Sequence, residues 1–166
     1  MHQNHAIAIQ PFDANVQSRA YVQMPCPYIL GNGVTGAVEE VGSSVTRFKK
    51  GDRVVSDTPV YQLKESKYGA WQKYVVSKEA TTVNIAEDTT FEDAAAIPFA
   101  LLTAVAALQL TLGMGKPGTH SGGKALIWGA SGSVGGYAVQ YASSVSGFKE
   151  CNHLLLVVSD TFLYDA

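Results

Sequence analysis

The sequence is short of charge, of cysteine and of long apolar runs. Charged side chains make up 16% of its 166 residues, and 12 basic against 14 acidic ones leave a formal net charge of −2. This balance argues against the basic surface that nucleic acids and anionic membranes attract. Apolar residues make up 46%, which is typical of a folded globular chain and not of a disordered one.

Cys26 and Cys151 lie far apart and form no CxxC pair, which predicts a reduced, cytoplasmic protein. No apolar run approaches the roughly 18 residues of a membrane span, and no secretory signal is visible, so we expect no membrane partner.

The histidines lack metal-ligand spacing. No Ser-His-Asp, Cys-His or paired-carboxylate pattern is present, so no catalytic acid is assigned. Tyr61 and Tyr74 could donate a proton, but buried strand tyrosines are commoner than catalytic ones.

The first half of the chain contains short apolar segments separated by glycines and turns. The predicted strands are His5–Ile9, Val34–Val41, Arg53–Val55, Trp71–Val76 and Thr81–Ile85. Short strands with this spacing favour a small barrel or sandwich.

The pattern changes after Ala86. Thr89 or Thr90, with Glu92 or Asp93 three residues on, gives two registers of a capping box, and Pro98 predicts a helix break. A helix is then predicted from Phe99 to Leu112, and its apolar residues on all sides indicate burial between layers. The change of pattern places a domain boundary near Ala96.

The next segment combines a strand, a glycine turn and a helix. The strand is predicted at Ala125–Trp128, the turn at Gly129–Gly135 and the helix at Val134–Ser144. The turn needs small residues for a sharp bend, for backbone approach to a pyrophosphate and for close helix packing. The helix then directs its amide end at the phosphates. Such turns also join strands to helices in other folds. A purely structural role for this turn is therefore kept as the alternative to dinucleotide binding.

Several stretches, in this order, resemble the medium-chain dehydrogenase/reductase superfamily: Ile29–Gly42, Val45–Val54, Gly69–Val76, Phe91–Pro98 and Leu102–Ala104. Within it, the sequence is most similar to the zinc-free quinone oxidoreductase, fungal trans-enoyl reductase and alcohol-dehydrogenase-like branches. The resemblance runs from about Asn4 to Gly147.

The resemblance implies a GroES-like, mainly β domain over residues 1–96, followed by an incomplete α/β Rossmann domain over residues 97–166. Family members run to about twice this length, so the chain is expected to be truncated. Zinc members carry a cysteine at the position of Gln10 and a His-Glu pair at Asn32-Gly33. With no thiolate or imidazole at these positions, no zinc is expected.

The resemblance also assigns site residues. The expected cofactor-binding residues are Gln10, Pro11, Phe12, Asp13, Thr103, Ala130, Ser131, Gly132, Ser133, Val134, Gly135 and Gly136. The expected substrate-lining residues are Phe99, Ala100, Leu101, Leu102 and Thr103. Structural roles stay open for three of them: Asp13 in its own turn, Thr103 inside its helix and Phe99 in the core.

The implied activity is NAD(P)H-dependent hydride transfer to an enoyl, quinone or related carbonyl-activated small molecule. The cofactor expected is NADP, with NAD as the alternative. An acidic residue about 20 positions past the turn would favour NAD, and the residue there is Leu155. The alternative function is a truncated, non-catalytic remnant that acts as a binding or interaction fragment. The chain could also form homo-oligomers, which is left as an open alternative.

Overall fold

The structure is a computed structural model that describes residues 1–18, 22–114, 118 and 126–144. The chain divides into two compact units, Met1–Phe99 and Ala100–Ala166. The predicted tail from Phe148 onward, with Leu155, lies outside the described residues.

The first unit is built on an antiparallel sheet. Its strands are β1 (His2–Ile7), β2 (Gly33–Val38), β3 (Arg53–Asp57), β4 (Tyr74–Val75) and β5 (Thr82–Asn84), in the order β4-β1-β2-β3-β5. Val34 pairs with Ile7 on one side and with Ser56 on the other. Val34 and Val54 are completely buried, so this central part of the sheet forms its core.

Short helices fill the connections of this unit. They are α1 (Pro11–Gln17), α2 (Val60–Leu63) and α3 (Phe91–Ala95), with 3-10 turns at Ser66–Tyr68 and Glu79–Thr81. The Thr90 hydroxyl accepts the Asp93 N–H at 3.1 Å, which selects one of the two predicted capping registers. The buried Thr35 hydroxyl donates to the carbonyl of Phe91 at 2.8 Å and fixes α3 on β2.

The strand predicted at Trp71–Val76 is reduced to Tyr74–Val75. The Asn4 side-chain amide donates to the carbonyls of Ala70 and Gln72 at 2.7 and 2.6 Å. These side-chain bonds occupy backbone acceptors that a regular strand would offer to its neighbour, so the backbone bends.

The second unit contains the end of α4 (Ile97–Val105), a π-helical segment (Ala106–Thr111) and α5 (Ser133–Ser144). The predicted break at Pro98 falls at Ala96 instead, because proline is tolerated in the first turn of a helix. The core of this unit consists of Ala104, Leu108, Ala138 and Ala142.

Two predictions for the second unit were wrong. In the described part of the predicted strand Ala125–Trp128, Leu126 and Ile127 belong to no strand and Trp128 begins a turn. No strand in the described part of the chain lies beside this segment, and Ala125 is outside that part. The helix predicted to be buried on all sides leaves Leu110 84% exposed, since only its Ala104 and Leu108 face belongs to the described core.

The apolar character of this helical region also corrects an expectation about membranes. The helical stretch Phe91–Thr111 has 21 residues and a mean hydropathy of 1.8, so by length and composition it could cross a membrane. Glu92 and Asp93 lie near the start of this stretch, so it is not an uninterrupted apolar run. The core helix of a globular domain passes the same test, so this one helix is weak support for a membrane span.

Candidate functional site

The glycine turn of the second unit leads directly into α5. Gly129 has a φ of +75°, a backbone conformation that favours glycine, and Ala130 avoids positive φ. The Gly132 N–H donates to the Gly129 carbonyl at 3.0 Å, and the Gly136 N–H donates to the Gly132 carbonyl at 2.8 Å. The turn therefore closes on itself and starts the helix at Ser133.

Two other glycines in the turn have different steric surroundings. A Cβ atom at Gly135 would lie 2.2 Å from the Gly129 carbonyl oxygen and 2.9 Å from the Cα atom of Ala130. The absence of a side chain at Gly135 therefore lets α5 pack closely against the turn. The sequence predicted that this glycine would allow close packing against a strand. A Cβ atom at Gly132 would meet only the Gly129 oxygen, at 3.4 Å, so the outer side of Gly132 is open to a ligand.

A cavity of about 490 Å³ borders this turn within the second unit. Its lining includes Gly129, Gly132, Ser133 and Gly135 on one side and apolar side chains such as Leu108 on the other. Ser131 and Ser133 are exposed. The arrangement offers backbone amides and hydroxyls at a helix N-terminus, beside an apolar wall.

In the first unit, Asp13 is held by bonds on both carboxyl oxygens. Asp13 is 1% exposed; its Oδ2 accepts the Gln10 N–H at 2.7 Å, and its Oδ1 accepts the hydroxyl of Tyr61 in a very short hydrogen bond. Both oxygens are therefore used inside the protein. Of the two roles that the sequence left open for Asp13, the structure favours the fixing of its own turn, which leaves Gln10, Pro11 and Phe12 nearer the surface.

Tyr61 is not arranged as a proton donor. Its hydroxyl donates to Asp13 and accepts the Gly31 N–H at 3.0 Å. Burial, followed by the hydrogen bond to Asp13, raises the pKa of Tyr61 above its ordinary value. Tyr61 lies in α2, not in a strand as assumed from the sequence, and it ties α1 to the segment that precedes β2.

The predicted substrate-lining residues occupy one helix but differ in exposure. Phe99 is half-buried, and its ring lies 5.7 Å from that of Phe12. Leu102 and Thr103 are exposed, and Leu101 is half-buried. Ala100 is completely buried, which leaves it no surface for a substrate.

One ionisable group of the first unit, Asp57, was not predicted from the sequence. Asp57 is the last residue of β3, and its Oδ1 accepts the side-chain N–H of Asn32 at 3.0 Å. Burial raises the pKa of Asp57 to about 6. An aspartate that ends a strand before Thr-Pro gives no sequence signal of this kind, because the shift depends on burial that only the folded unit provides.

His2 is a second buried ionisable group, at the other end of β1. Its Nε2 is bonded to the Ser77 hydroxyl at 2.8 Å, and burial lowers its pKa to about 4. It stays neutral at physiological pH and takes no part in the candidate site.

The sequence of the first unit matches a known family. The model of the alcohol dehydrogenase GroES-like domain family matches residues 3–87. The chain belongs to the medium-chain dehydrogenase/reductase family. Its first unit is the GroES-like, mainly β domain, and the described residues of its second unit form helices and the glycine turn.

By their names, relatives of this family member include dehydrogenases, trans-enoyl reductases and quinone oxidoreductases. It is 39% identical over 150 residues to dehydrogenase pigH of Monascus ruber, covering 84% of the chain and 41% of the relative. It is 30% identical to trans-enoyl reductase himH of Aspergillus japonicus, covering 90% of the chain and 46% of the relative.

Among solved structures, Escherichia coli quinone oxidoreductase complexed with NADPH superposes with a TM-score of 0.67 and 30% identity, covering 87% of the chain and 41% of that protein. The chain thus spans less than half the length of these proteins. Within the described residues, no group of three or more His, Cys, Asp or Glu side chains could hold a metal ion.

Proposed function

We propose that the protein is an NADPH-dependent oxidoreductase that reduces an enoyl, quinone or related carbonyl-activated small molecule, with the units Met1–Phe99 and Ala100–Ala166 acting as GroES-like and dinucleotide-binding parts. The names of the relatives, a trans-enoyl reductase and a quinone oxidoreductase, support this substrate class. NADPH in the Escherichia coli structure supports NADP over NAD. A cytoplasmic location belongs to the same proposal.

The observation that carries the proposal is the geometry of the glycine turn. Gly135 leaves no room for a side chain, whereas Gly132 is open on its outer side. Exposed Ser131 and Ser133 flank this opening at the N-terminus of a 12-residue helix. Anionic phosphates are favoured at such a position by unpaired amides and by the helix dipole. These residues therefore fit a dinucleotide pyrophosphate.

When bound, the reduced nicotinamide supplies a hydride. The protein orients the reactants and keeps water away from them. Gln10 and Phe12 would contact the nicotinamide side of the cofactor, because Asp13 holds the turn that presents them. Phe99, Leu102 and Thr103 would contact the substrate.

Zinc has no role in the proposal. Gln10 and Asn32 provide amide groups where zinc relatives have cysteine and histidine, and the Asn32 amide already donates to Asp57. Amides are weak zinc ligands compared with thiolate or imidazole.

Turnover with defined substrates tests the proposal. The purified chain is incubated with NADPH and either 2-cyclohexenone or 1,4-naphthoquinone, and both the cofactor and the organic product are quantified. We expect stoichiometric NADPH oxidation and product formation, with at least a tenfold loss in Gly135→Ala and no loss in Gly42→Ala, where a Cβ atom meets its nearest neighbour at 3.8 Å. Absence of turnover with both substrates would contradict the proposal and favour a non-catalytic binding fragment.

A further inference from the structure

The first unit contains a cavity of about 250 Å³ beside the start of β1. Its lining comes mainly from four neighbouring strands and from the connection between β2 and β3, and includes His2, Val38, Val54, Thr82, Val45 and Phe48. All of the lining residues belong to the first unit, and neither Gln10 nor the glycine turn is among them. The cavity is therefore separate from the residues assigned to the cofactor.

Hydrogen bonds to Glu79 fix the connection that carries part of this lining. The Oε1 atom of Glu79 accepts the N–H of Arg47 at 3.0 Å and that of Thr46 at 3.4 Å. The Arg47 guanidinium in turn donates to the Glu79 carbonyl at 3.3 Å. Val45 and Phe48 flank this anchored pair, so their apolar side chains are held at the cavity. The cavity is thus largely formed before a ligand enters, as small-molecule sites usually are.

One polar side chain in the lining has a nitrogen without a partner. His2 is 2% exposed, and its Nδ1 is buried with no hydrogen-bond partner among the described residues. Its Nε2 is bonded at 2.8 Å to the hydroxyl of Ser77, which also lines the cavity. A buried polar atom without a partner is unfavourable, so a ligand that supplies the missing hydrogen bond is favoured beside His2.

The charges around the cavity favour a neutral ligand. Burial lowers the pKa of His2 to about 4, so its ring is neutral at neutral pH. Glu40 and Glu79 also line the cavity and repel an anion, whereas the Arg47 guanidinium at Glu79 opposes a cation. Nδ1 of a neutral ring either accepts or donates one hydrogen bond, depending on the tautomer, and a hydroxyl group can serve in both cases.

The volume limits the size of such a ligand. An apolar cavity of about 150 Å³ holds benzene. The cavity beside His2, with about 250 Å³, therefore has room for one ring and a small substituent.

We propose that this cavity is a second ligand site, which binds a neutral single-ring molecule through a hydrogen bond between its hydroxyl group and Nδ1 of His2. The ring contacts apolar side chains of the lining such as Val38, Val45 and Phe48. The site goes beyond the proposed function and does not rest on it, because no residue assigned to the cofactor takes part.

Phenol and toluene test the proposal, because they share a ring and differ in the hydroxyl group. Their dissociation constants are measured at pH 7 by NMR titration of the whole chain. We expect phenol to bind the unaltered chain at least as tightly as toluene. His2→Phe should weaken phenol binding about tenfold relative to toluene, the factor that one ordinary hydrogen bond carries. His5→Phe, at an exposed histidine outside the lining, should leave the ratio of the two dissociation constants unchanged.

A cavity-filling pair locates the binding. Val41 lines the cavity and is 43% exposed, so Val41→Trp fills the space without enlarging a core residue and should abolish saturable binding of both probes. Val83→Trp, on β5 outside the lining, should change neither. Equal binding of the probes by both tryptophan variants would overturn the proposal.

The ¹⁵N resonance of Nδ1 in the unaltered chain provides a measurement that needs no variant, and it decides if His2→Phe fails to fold. It should move more on addition of phenol than of toluene. A shift no larger with phenol, or no saturable phenol binding, would overturn the site. Sedimentation of the same samples addresses a second copy of the chain as the occupant. A dimer whose formation weakens phenol binding would also overturn the proposal and assign this surface to an interface.

Discussion

In Met1–Phe99 most buried polar side chains are paired across strands and loops, whereas the buried side chains of the described part of the second unit are apolar. Asp13, Thr35 and Ser56 each have hydrogen-bond partners in the first unit. In the second unit, Leu126 and Trp128 are 70% and 68% exposed. The first unit therefore derives its specificity from directional bonds between distant segments. The described second unit combines an apolar helix core with a side-chain bond from Gln109 Nε2 to the Tyr141 hydroxyl at 2.5 Å.

The largest effect is expected where strands of the first unit approach most closely. A Cβ atom at Gly36 would lie 1.8 Å from the Gln3 carbonyl oxygen of the neighbouring strand. Gly36→Ala should lower the free energy of unfolding by about 3 kcal/mol or more, because β1 and β2 must separate. Urea denaturation measures the change, and Gly42→Ala should stay within about 0.5 kcal/mol of the unaltered chain. Equal stability of both variants would contradict the register of the sheet.

Loss of one hydroxyl should have the next largest effect. Tyr61→Phe leaves Oδ1 of Asp13 and the Gly31 N–H each without a partner, while Oδ2 of Asp13 keeps the Gln10 N–H. We expect a loss of about 2–3 kcal/mol of unfolding free energy, since hydrogen bonds to buried charges are strong. The matched control is Tyr74→Phe, at an exposed ring. A change of less than about 0.5 kcal/mol in Tyr61→Phe would show that the buried bonds do not stabilise this unit.

Removal of the Asp57 charge should stabilise the first unit at neutral and alkaline pH but not at acid pH. The pKa of Asp57 is raised from 3.8 to about 6, so its contribution to stability is complete below pH 4 and is lost as the pH rises through 6. Asp57→Asn should therefore gain about 1–2 kcal/mol at pH 8 and nothing at pH 4, a value reduced for partial exposure. Denaturation curves of both chains across this range measure the difference. A difference in unfolding free energy that does not change with pH would contradict the raised pKa of Asp57.

The pH dependence of the unaltered chain will be flatter than that of Asp57→Asn. The pKa of buried His2 is lowered from 6.5 to about 4, so its contribution is present above pH 6.5 and is lost as the pH falls toward 4. The two groups therefore oppose each other over the same interval.

The smallest effect is expected on the exposed apolar surface of the second unit. Trp128→Ala should change the unfolding free energy by less than about 0.5 kcal/mol, because Trp128 makes few contacts that unfolding would remove. Leu108→Ala, in the core of the same unit, should cost about 2–4 kcal/mol. A large loss in Trp128→Ala would show that this side chain is covered in solution.

Local patterns predicted the elements whose causes are local. The helix at Ser133–Ser144 and the cap at Thr90 follow from residues within one turn of each other, and both were found close to the predicted positions. Short apolar segments bounded by glycines and turns also predicted β2 and β3. The predicted ends of the strands were less accurate. They depend on side-chain hydrogen bonds such as those of Asn4, which form only when distant segments come together in the fold.

The parts that could not be predicted depend on residues distant in sequence. The strand at Ala125–Trp128 needs a neighbouring strand, and its apolar residues alone do not provide one. The Asp57–Asn32 and Tyr61–Asp13 pairs join segments that only the folded sheet and loops bring together. The glycine pattern indicated a turn, but the open side of Gly132 required coordinates.

Titration of the chain with NADPH, followed by cofactor fluorescence, tests the central claim most directly. We predict saturable binding at one site, weakened at least tenfold in Gly135→Ala, where a Cβ atom would lie 2.2 Å from the Gly129 oxygen, and unchanged in Gly42→Ala. Circular dichroism of the Gly135→Ala variant establishes that the helices remain. The absence of saturable binding by the unaltered chain, or equal binding by Gly135→Ala, would contradict the assignment of the glycine turn as a dinucleotide site.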